Sequence, residues 1–487
     1  MCGFLGLAGG DSTELVKSFA LALPRLQHRG PESAGGSWTD SHGRVHGTKG
    51  MGLVSQLLDM TMLDRIEKHK PSMIIGHTRY ATAGEGARKN AQPQWLENQK
   101  GRVSIALNGD VPNLDQRKIE LFDSSGAVFH NENDAEFILK MIFSIIAADN
   151  PDWKMDYIYA IEKVMRTLTA TFSGGLLTGT QMYVFRDRYE NRPLFIGQKN
   201  GTFVSASETG VFDLIGATIE REVKGGEIIA VAPNGEYRSI IAMDPGPLAK
   251  CIFEAIYFSR PDSIVFGNET GASFRRRLGI ATAKYELERN GQFPEADCVV
   301  SVPQSGDYFT DGYSWQSKII MRNGIMKDAY TGRTFISPGQ AARRLKAIRK
   351  YTVLRDVPNG VYDAEGNVLI KPMKKVIVCD DSIVRLTTAK VLAKKIRQAG
   401  YEEIHFRISA PMITDPCFFG IDMKTHDQLI AAKIKEDEIR QELDIASLLY
   451  LPLKWLDRVI VEGGGDASDY CRTCFGAPCK ILLEKKD

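Results

Sequence analysis

KKVIVCDDSIVRLTTAKVL, residues 374–392, runs from an apolar strand through two adjacent acids into a helix. Its apolar residues are continuous rather than alternating, as in a strand covered on both faces. Asp380 and Asp381 fall at the strand's C-terminal end, the edge at which open α/β sheets bind ligands. Loop amides and threonine hydroxyls at a helix start suit a phosphate there. A solvated acidic pair is the plainer alternative, and the flanking strand and helix weigh against it. CVVSVP (298–303) and IHFRISAP (404–411) are further buried-type strands, and helical stretches lie between them. Strands alternating with helices indicate a parallel α/β sheet for the region 251–445.

Upstream of a Pro/Gly-rich linker, AMDPGPLAK (242–250), the rhythm is different. Short apolar runs such as GFLGLAG, RVSIALNGD, GGLLTG and MYVFRD are separated by glycine-rich turns, which reads as a β-rich domain over 2–240. Apolar residues at helical spacing mark helices around 12–28 and 134–148. A packed β-sandwich with helical outer layers suits this pattern. Residues 446–487 read as a tail that is helical and then a Gly-rich coil holding CRTCFGAPC.

At 487 residues, two domains and a tail are a reasonable expectation. Hydrophobic content of 43% and charged content of 25% are those of a soluble globular protein. With 62 basic against 60 acidic residues, net +2, no strong polyelectrolyte attraction to nucleic acid is available. No apolar run of about 18 residues suggests a membrane span, and MCGFLGLAGGDS lacks the layout of a secretory signal. A cytoplasmic address follows, where the eight cysteines are thiols, nucleophiles or metal ligands rather than disulfides.

Cys2 follows the initiator methionine directly. Removal of Met1 would leave a free α-amine beside the thiol. Such an amine has a pKa of about 8, so near pH 7 it can accept the thiol proton. Nucleophile and base then belong to one residue. Attack on a carboxamide would give a thioester and ammonia.

CGFLGLAG (2–9), LQHRGPESAG (26–35), GHTRYATAG (76–84), LNGDVPN (107–113), NDAE (133–136) and FRDRYENRPLFIG (185–197) resemble, in order, the motifs of class II glutamine amidotransferases. Within that class the chain resembles the glutamine phosphoribosylpyrophosphate amidotransferases. The resemblance implies an αββα N-terminal-nucleophile sandwich followed by a type I phosphoribosyltransferase domain. It implies that Arg79 holds the α-carboxylate of glutamine, as a guanidinium can, and that Asp134 takes the α-ammonium. Asn108 and the backbone N–H of Gly109 would form the oxyanion hole. Taken singly, Arg79 is equally an ion-pair residue and Asn108-Gly109 a hairpin turn. FSGGLLTG (172–179) has the SGG of a synthetase pyrophosphate loop but Leu177-Thr178 in place of Asp-Ser, and reads as a structural strand.

CIFEAIYFSRPDS (251–263), SVPQSGDYFTDGY (301–313), KDAYTGRTFISPGQAARRLKAIRKY (327–351) and RISAPMITDPCFFGIDM (407–423) extend the resemblance through the second half. It places phosphoribosyl pyrophosphate on Asp380, Asp381, Ser382, Arg385, Thr387, Thr388 and Lys350, with the 5′-phosphate on the loop 385–389. Mg²⁺ would be held by Ser305, Asp380 and Asp381, and the segment around 327–336 would close over the substrate. Leu386 stands where the family usually has glycine, Gln304 where it has an acid, Ala329 where it has arginine, and Leu107 where histidine is common. Glycine at 386 would permit a closer backbone approach to phosphate.

The C-x₂-C pair Cys471/Cys474 could hold one tetrahedral metal or one face of a cluster. One branch of the family binds a [4Fe–4S] cluster, and Cys251, Cys417, Cys471 and Cys474 stand at its ligand positions. Zinc is the alternative, Cys479 a substitute ligand, and Cys298 and Cys379 read as core thiols. The activity implied is the conversion of glutamine and phosphoribosyl pyrophosphate to 5-phosphoribosylamine, glutamate and pyrophosphate, the opening step of purine (IMP) synthesis. Purine nucleotides as feedback inhibitors and a homo-oligomer, dimer or tetramer, are implied with it. Two other readings stay open: a glutaminase-competent paralogue with another acceptor, and a nucleotide-sensing protein whose transferase half is inactive.

Overall fold

The computed structural model describes residues 1–80, 87–98, 101–149, 156–328 and 348–481. Two antiparallel sheets, of seven and six strands, are built from residues 3–241. Gly3–Ala8 lies at the middle of the first, between Thr202–Ala206 and Met73–Arg79. Its residues alternate sides, as strand geometry requires. Phe4 and Ala8 enter the core between the sheets with Ile75, Val184 and Phe203. Leu5 and Leu7 face outward onto Phe19 and Leu23 of the helix Ser12–Arg25. That helix is started by Asp11, whose Oδ1 accepts from the N–H groups of Thr13 and Glu14 at 3.0 and 3.1 Å. On the far side, Ile105, Leu107 and Phe172 of the second sheet are covered by Asp134–Asp149 and Tyr157–Thr167. Helix, sheet, sheet, helix is the layering expected from the sequence. FSGGLLTG lies in this frame, as the strand Thr171–Leu177 and the turn after it.

The second half holds a five-stranded parallel sheet in the order Met321–Arg322, Cys298–Ser301, Lys375–Asp380, Glu403–Ile408, Ser447–Tyr450. Ile377 and Cys379 face one way, toward Gly271–Asn290, Asp307–Ser317 and Leu453–Glu462. Val376 and Val378 face the other way, toward Leu386–Ala399 and Glu436–Leu443. Two helices on the first face cross closely because each has glycine at the crossing. A Cβ at Gly279 would run into the Phe309 carbonyl oxygen, and one at Gly312 into that of Arg276.

The boundary expected at 446 is corrected. Ser447–Tyr450 is an edge strand of the parallel sheet and Leu453–Glu462 packs on its helical layer, so both belong to the parallel-sheet body. The sequence reading stopped at three strands because a four-residue edge strand carries too little pattern. The true tail begins near residue 463 and returns to the linker. Its Tyr470–Cys471 pairs in parallel with Lys250–Cys251.

The two halves meet over buried charge. Arg29 donates to Glu208 at 2.5 Å and to Glu254 at 2.7 Å, all three without exposure. Glu254 belongs to the IFE segment of the second half, so this network crosses the boundary.

Candidate active sites

Antiparallel pairing of Gly3 with Thr78 brings Arg79 and Tyr80 beside Cys2. The facing sheet ends its strand Gly101–Asp110 at the same place and supplies Asn108 and Gly109. Gln92 fixes that strand end, accepting from the Leu107 N–H at 2.7 Å. The Leu107 carbonyl meets His77 Nε2 at 2.9 Å. The Cys2 nitrogen donates to Asn108 Oδ1 at 2.9 Å. With Met1 attached this nitrogen is a peptide amide, and it stands where the α-amine of a processed chain would be. Asn108 Nδ2 is buried and, among the described residues, has no partner. A buried amide donor left open next to a thiol needs an acceptor, and a developing oxyanion is one. Gly109 cannot be another residue here, because a Cβ would strike the Thr171 carbonyl oxygen.

Arg79 is buried and donates to Glu32 at 3.0 Å. Asp134 opens the helix Asp134–Asp149, and its carboxyl is pushed up to about 7, first by burial, then by Asp110 and Cys2, with Arg79 opposing. These interactions group Asp134, Arg79 and Cys2 around one space. ATAG of the motif GHTRYATAG, residues 81–84, lies outside the described residues. Met1 is buried, its amine lowered to about 6 mainly by burial, and it packs with the second half rather than with its own sheet.

In the second half, Asp380 closes its strand above a cavity lined by Asp381, Ser382, Arg385, Thr388, Ser305 and Lys350. The Asp381 N–H donates to Asp380 at 2.9 Å, and the Ser382 hydroxyl to Asp381 at 2.6 Å. Burial and then the neighbouring Asp381 push the Asp380 carboxyl well above the carboxylate range, with Lys350 opposing. Thr387 is exposed and its side chain is not part of this cavity lining, since successive helical residues point about 100° apart. The helix begins at Leu386, whose backbone is helical and whose side chain leans on the core beneath. No left-handed conformation is imposed on it. The loop is therefore 381–385, with helix N–H groups from 386 onward. Gln304 lines an adjacent cleft with Arg260 and Arg275. Ala329 and the closing segment from 329 onward lie outside the described residues.

Tyr80 was not foreseen and joins the two sites. Its carbonyl oxygen lies 3.8 Å from Cys2 Sγ, and Tyr80 also lines the Asp380 cavity, edge-on to Phe258 at 6.5 Å. Arg29 was missed as well, and its Nε donates to the Cys2 carbonyl at 2.8 Å. Only a fold that brings residue 29 under residue 2 could reveal it.

Cys251, Cys417, Cys471 and Cys474 come together from three segments. Burial pushes the Cys251 thiol up to about 12 and the Cys474 thiol well above its usual range. The other three thiols raise Cys474 further. The Phe419 N–H points at Cys417 Sγ, at 3.4 Å. Four thiols that repel one another as thiolates are a donor set a cationic metal group would relieve. As the side chains stand, no three or more His, Cys, Asp or Glu among the described residues close to metal-ion spacing. Cys479 is exposed, and Cys298 and Cys379 are buried in strands.

A thiol–amide dyad in an αββα sandwich, joined to a parallel sheet with an acid pair at its ligand edge, defines a glutamine amidotransferase coupled to a phosphoribosyltransferase domain. Residues 77–213 match the family model described as a glutamine amidotransferase domain. The chain is similar to the amidophosphoribosyltransferases of Synechocystis sp., 35% identical over 99% of this chain and 91% of that protein. It is similar also to that of Methanothermobacter thermautotrophicus, 37% identical over 93% and 90%. The solved glutamine phosphoribosylpyrophosphate amidotransferase of B. subtilis, complexed with ADP and GMP, superposes with a TM-score of 0.82 at 34% identity, covering 97% of this chain and 96% of that one. The chain belongs to the amidophosphoribosyltransferase family.

Proposed function

We propose that this protein converts glutamine and 5-phosphoribosyl 1-pyrophosphate to 5-phosphoribosylamine, glutamate and pyrophosphate, the first step of purine (IMP) biosynthesis. The carrying observation is Tyr80, which touches the candidate nucleophile and also lines the acid-pair cavity. A reaction that frees ammonia at one place and uses it at another needs such adjacency.

Once Met1 is removed, the Cys2 amine takes the thiol proton and the sulfur attacks the carboxamide carbon. Asn108 Nδ2 and the Gly109 N–H receive the oxyanion. Arg79 and Asp134 hold the α-carboxylate and α-ammonium of glutamine. Collapse breaks the C–N bond, the Cys2 ammonium returns its proton to the leaving nitrogen, and water later hydrolyses the thioester. Ammonia passes Tyr80 to the Asp380 cavity and attacks the anomeric carbon as pyrophosphate departs. Asp380 and Asp381 hold the ribose hydroxyls, Ser382, Arg385 and Thr388 the 5′-phosphate, and Lys350 the pyrophosphate side. Mg²⁺, which Ser305, Asp380 and Asp381 would hold, supplies charge neutralisation for the leaving group. Asp381 disfavours the ionised form of Asp380, a repulsion that a divalent cation held by these residues would relieve.

Cys251, Cys417, Cys471 and Cys474 are the proposed ligands of a [4Fe–4S] cluster that pins the tail to the linker. A cytoplasmic address, a homo-oligomer and feedback by purine nucleotides belong to the same proposal. The B. subtilis relative, solved with ADP and GMP, supports the last of these. Leu386 follows the acid-pair loop and Gln304 lies in the adjacent cleft, and the helical backbone at Leu386 supports the competence of the loop. Pyrophosphate release from phosphoribosyl pyrophosphate, assayed with glutamine and with ammonia, tests the function. Release with both donors is expected, and release with neither overturns it.

A further inference from the structure

Neither the hydrolytic nor the transfer step uses Asp110, which follows Gly109 and is buried. Its Oδ2 accepts from the ammonium of Lys424, which lies on a loop of the transferase half 314 residues away in sequence. Asp422 and Met423, just before Lys424, line the acid-pair cavity. Asp110 in turn lies close enough to Asp134 to disfavour its ionised form. Two carboxylates thus sit near the place where glutamine brings a single ammonium. We propose that Lys424 is a positioning residue for glutamine: by pairing with Asp110 it leaves Asp134 to the substrate's α-ammonium, and so supplies a part of the glutaminase site from the transferase half. This rests on the amidotransferase reading above.

Adjacent buried carboxylates do not both stay ionised without a cation between or beside them. The charged and titratable groups acting on Asp134 are Asp110, Cys2 and Arg79, with His77 and Lys118 also within its reach. Lys424 is the cation bound to Asp110. Its side chain is one-third exposed. Asp110 repels Asp134 even with Lys424 in place, so removing the Lys424 ammonium from the pair takes a positive charge from beside the two carboxylates, and Asp134 should then hold its proton to higher pH and lose the substrate ammonium.

The test is the pH profile of glutamine hydrolysis in the full chain, with Lys424→Met, Lys424→Arg and the double variant Lys424→Met/Asp110→Asn. Lys424→Met is expected to raise KM for glutamine about tenfold near pH 6.5, with kcat little changed, by moving the acid limb of kcat/KM up by about one unit. Lys424→Arg should restore the parent profile. The double variant, which lacks the repelling carboxylate, should return the limb to the parent position or below it. Ammonia-dependent pyrophosphate release should persist in Lys424→Met, and its loss would mark a structural role and overturn the proposal. An unmoved limb in Lys424→Met, with a parent chain that hydrolyses glutamine, overturns the proposal alone. A parent that does not hydrolyse glutamine overturns the amidotransferase reading with it.

Discussion

Between the nitrogen of Cys2 and Asn108 Oδ1 there are 2.9 Å, and the other end of that amide has no partner among the described residues. The donor orientation follows from this, because the end that accepts from Cys2 must be the oxygen, leaving the NH₂ for the reacting carbonyl. Asn108→Ala should therefore lower kcat for glutamine hydrolysis by about 10²–10³-fold, with KM nearly unchanged, and a change in KM alone would refute the oxyanion role. Cys2→Ala should abolish hydrolysis while ammonia-dependent synthesis survives, because the Asp380 cavity contains no part of Cys2. Mass spectrometry of the mature protein should find Met1 absent, since a retained methionine leaves Cys2 with no free amine. Asp134 sets the pH response. Its carboxyl, raised to about 7, is ionised above that pH and neutral below it. Acidification through pH 7 thus removes the partner of the substrate ammonium, and KM for glutamine should climb as pH falls from 8 to 6. A KM flat across that range would remove Asp134 from the binding role.

The helix Leu386–Ala399 shows what pattern discloses and what it hides. Its apolar spacing and the strand before it were legible in sequence, and so was the acid pair that the strand delivers. Legible too were the sandwich layers, because period-2 residues such as Phe4 and Leu5 must part to opposite faces. Which side of its helix Thr387 takes was not legible, since a one-residue shift in the helix start turns every side chain by about 100°. The short strands Met321–Arg322 and Ser447–Tyr450 escaped because their stability comes from the neighbouring strand, not from their own residues. Tyr80, Arg29 and Lys424 escaped because each acts on a partner brought near only by folding. Leu386 occupies the first helical position with an ordinary backbone, so glycine is not required there. Leu386→Gly should lower thermal stability, by about 0.5–1 kcal/mol from backbone entropy alone, and leave pyrophosphate release within a few-fold of the parent. Transfer activity found only in Leu386→Gly would overturn the transferase assignment of the parent chain.

Over the whole molecule, the boundary between the halves is held by apolar packing, buried charge and the returning tail. The Arg29–Glu254 pair and the Thr171 hydroxyl, 3.3 Å from the Phe419 carbonyl, lie on that boundary. The tail is held by apolar contact as well as by its cysteines. Phe475 packs near Phe253 with ring centres 6.2 Å apart, and Tyr470 near Phe266 at 6.0 Å. Loss of a cluster should therefore loosen the tail and the linker without unfolding the glutaminase sandwich, whose core lies between its own two sheets. Anaerobic purification should yield a brown protein with about four iron and four sulfide per chain, as a cubane held by four thiolates requires. Cys471→Ser/Cys474→Ser should lose the iron and the colour, and unfold at a temperature several degrees lower. It should still hydrolyse glutamine, because neither residue touches Cys2, Asn108 or Asp134. A colourless parent carrying about one zinc would replace the cluster by a Cys₄ metal site. A parent with neither metal would leave the four thiols as packing residues and remove the cofactor from the proposal.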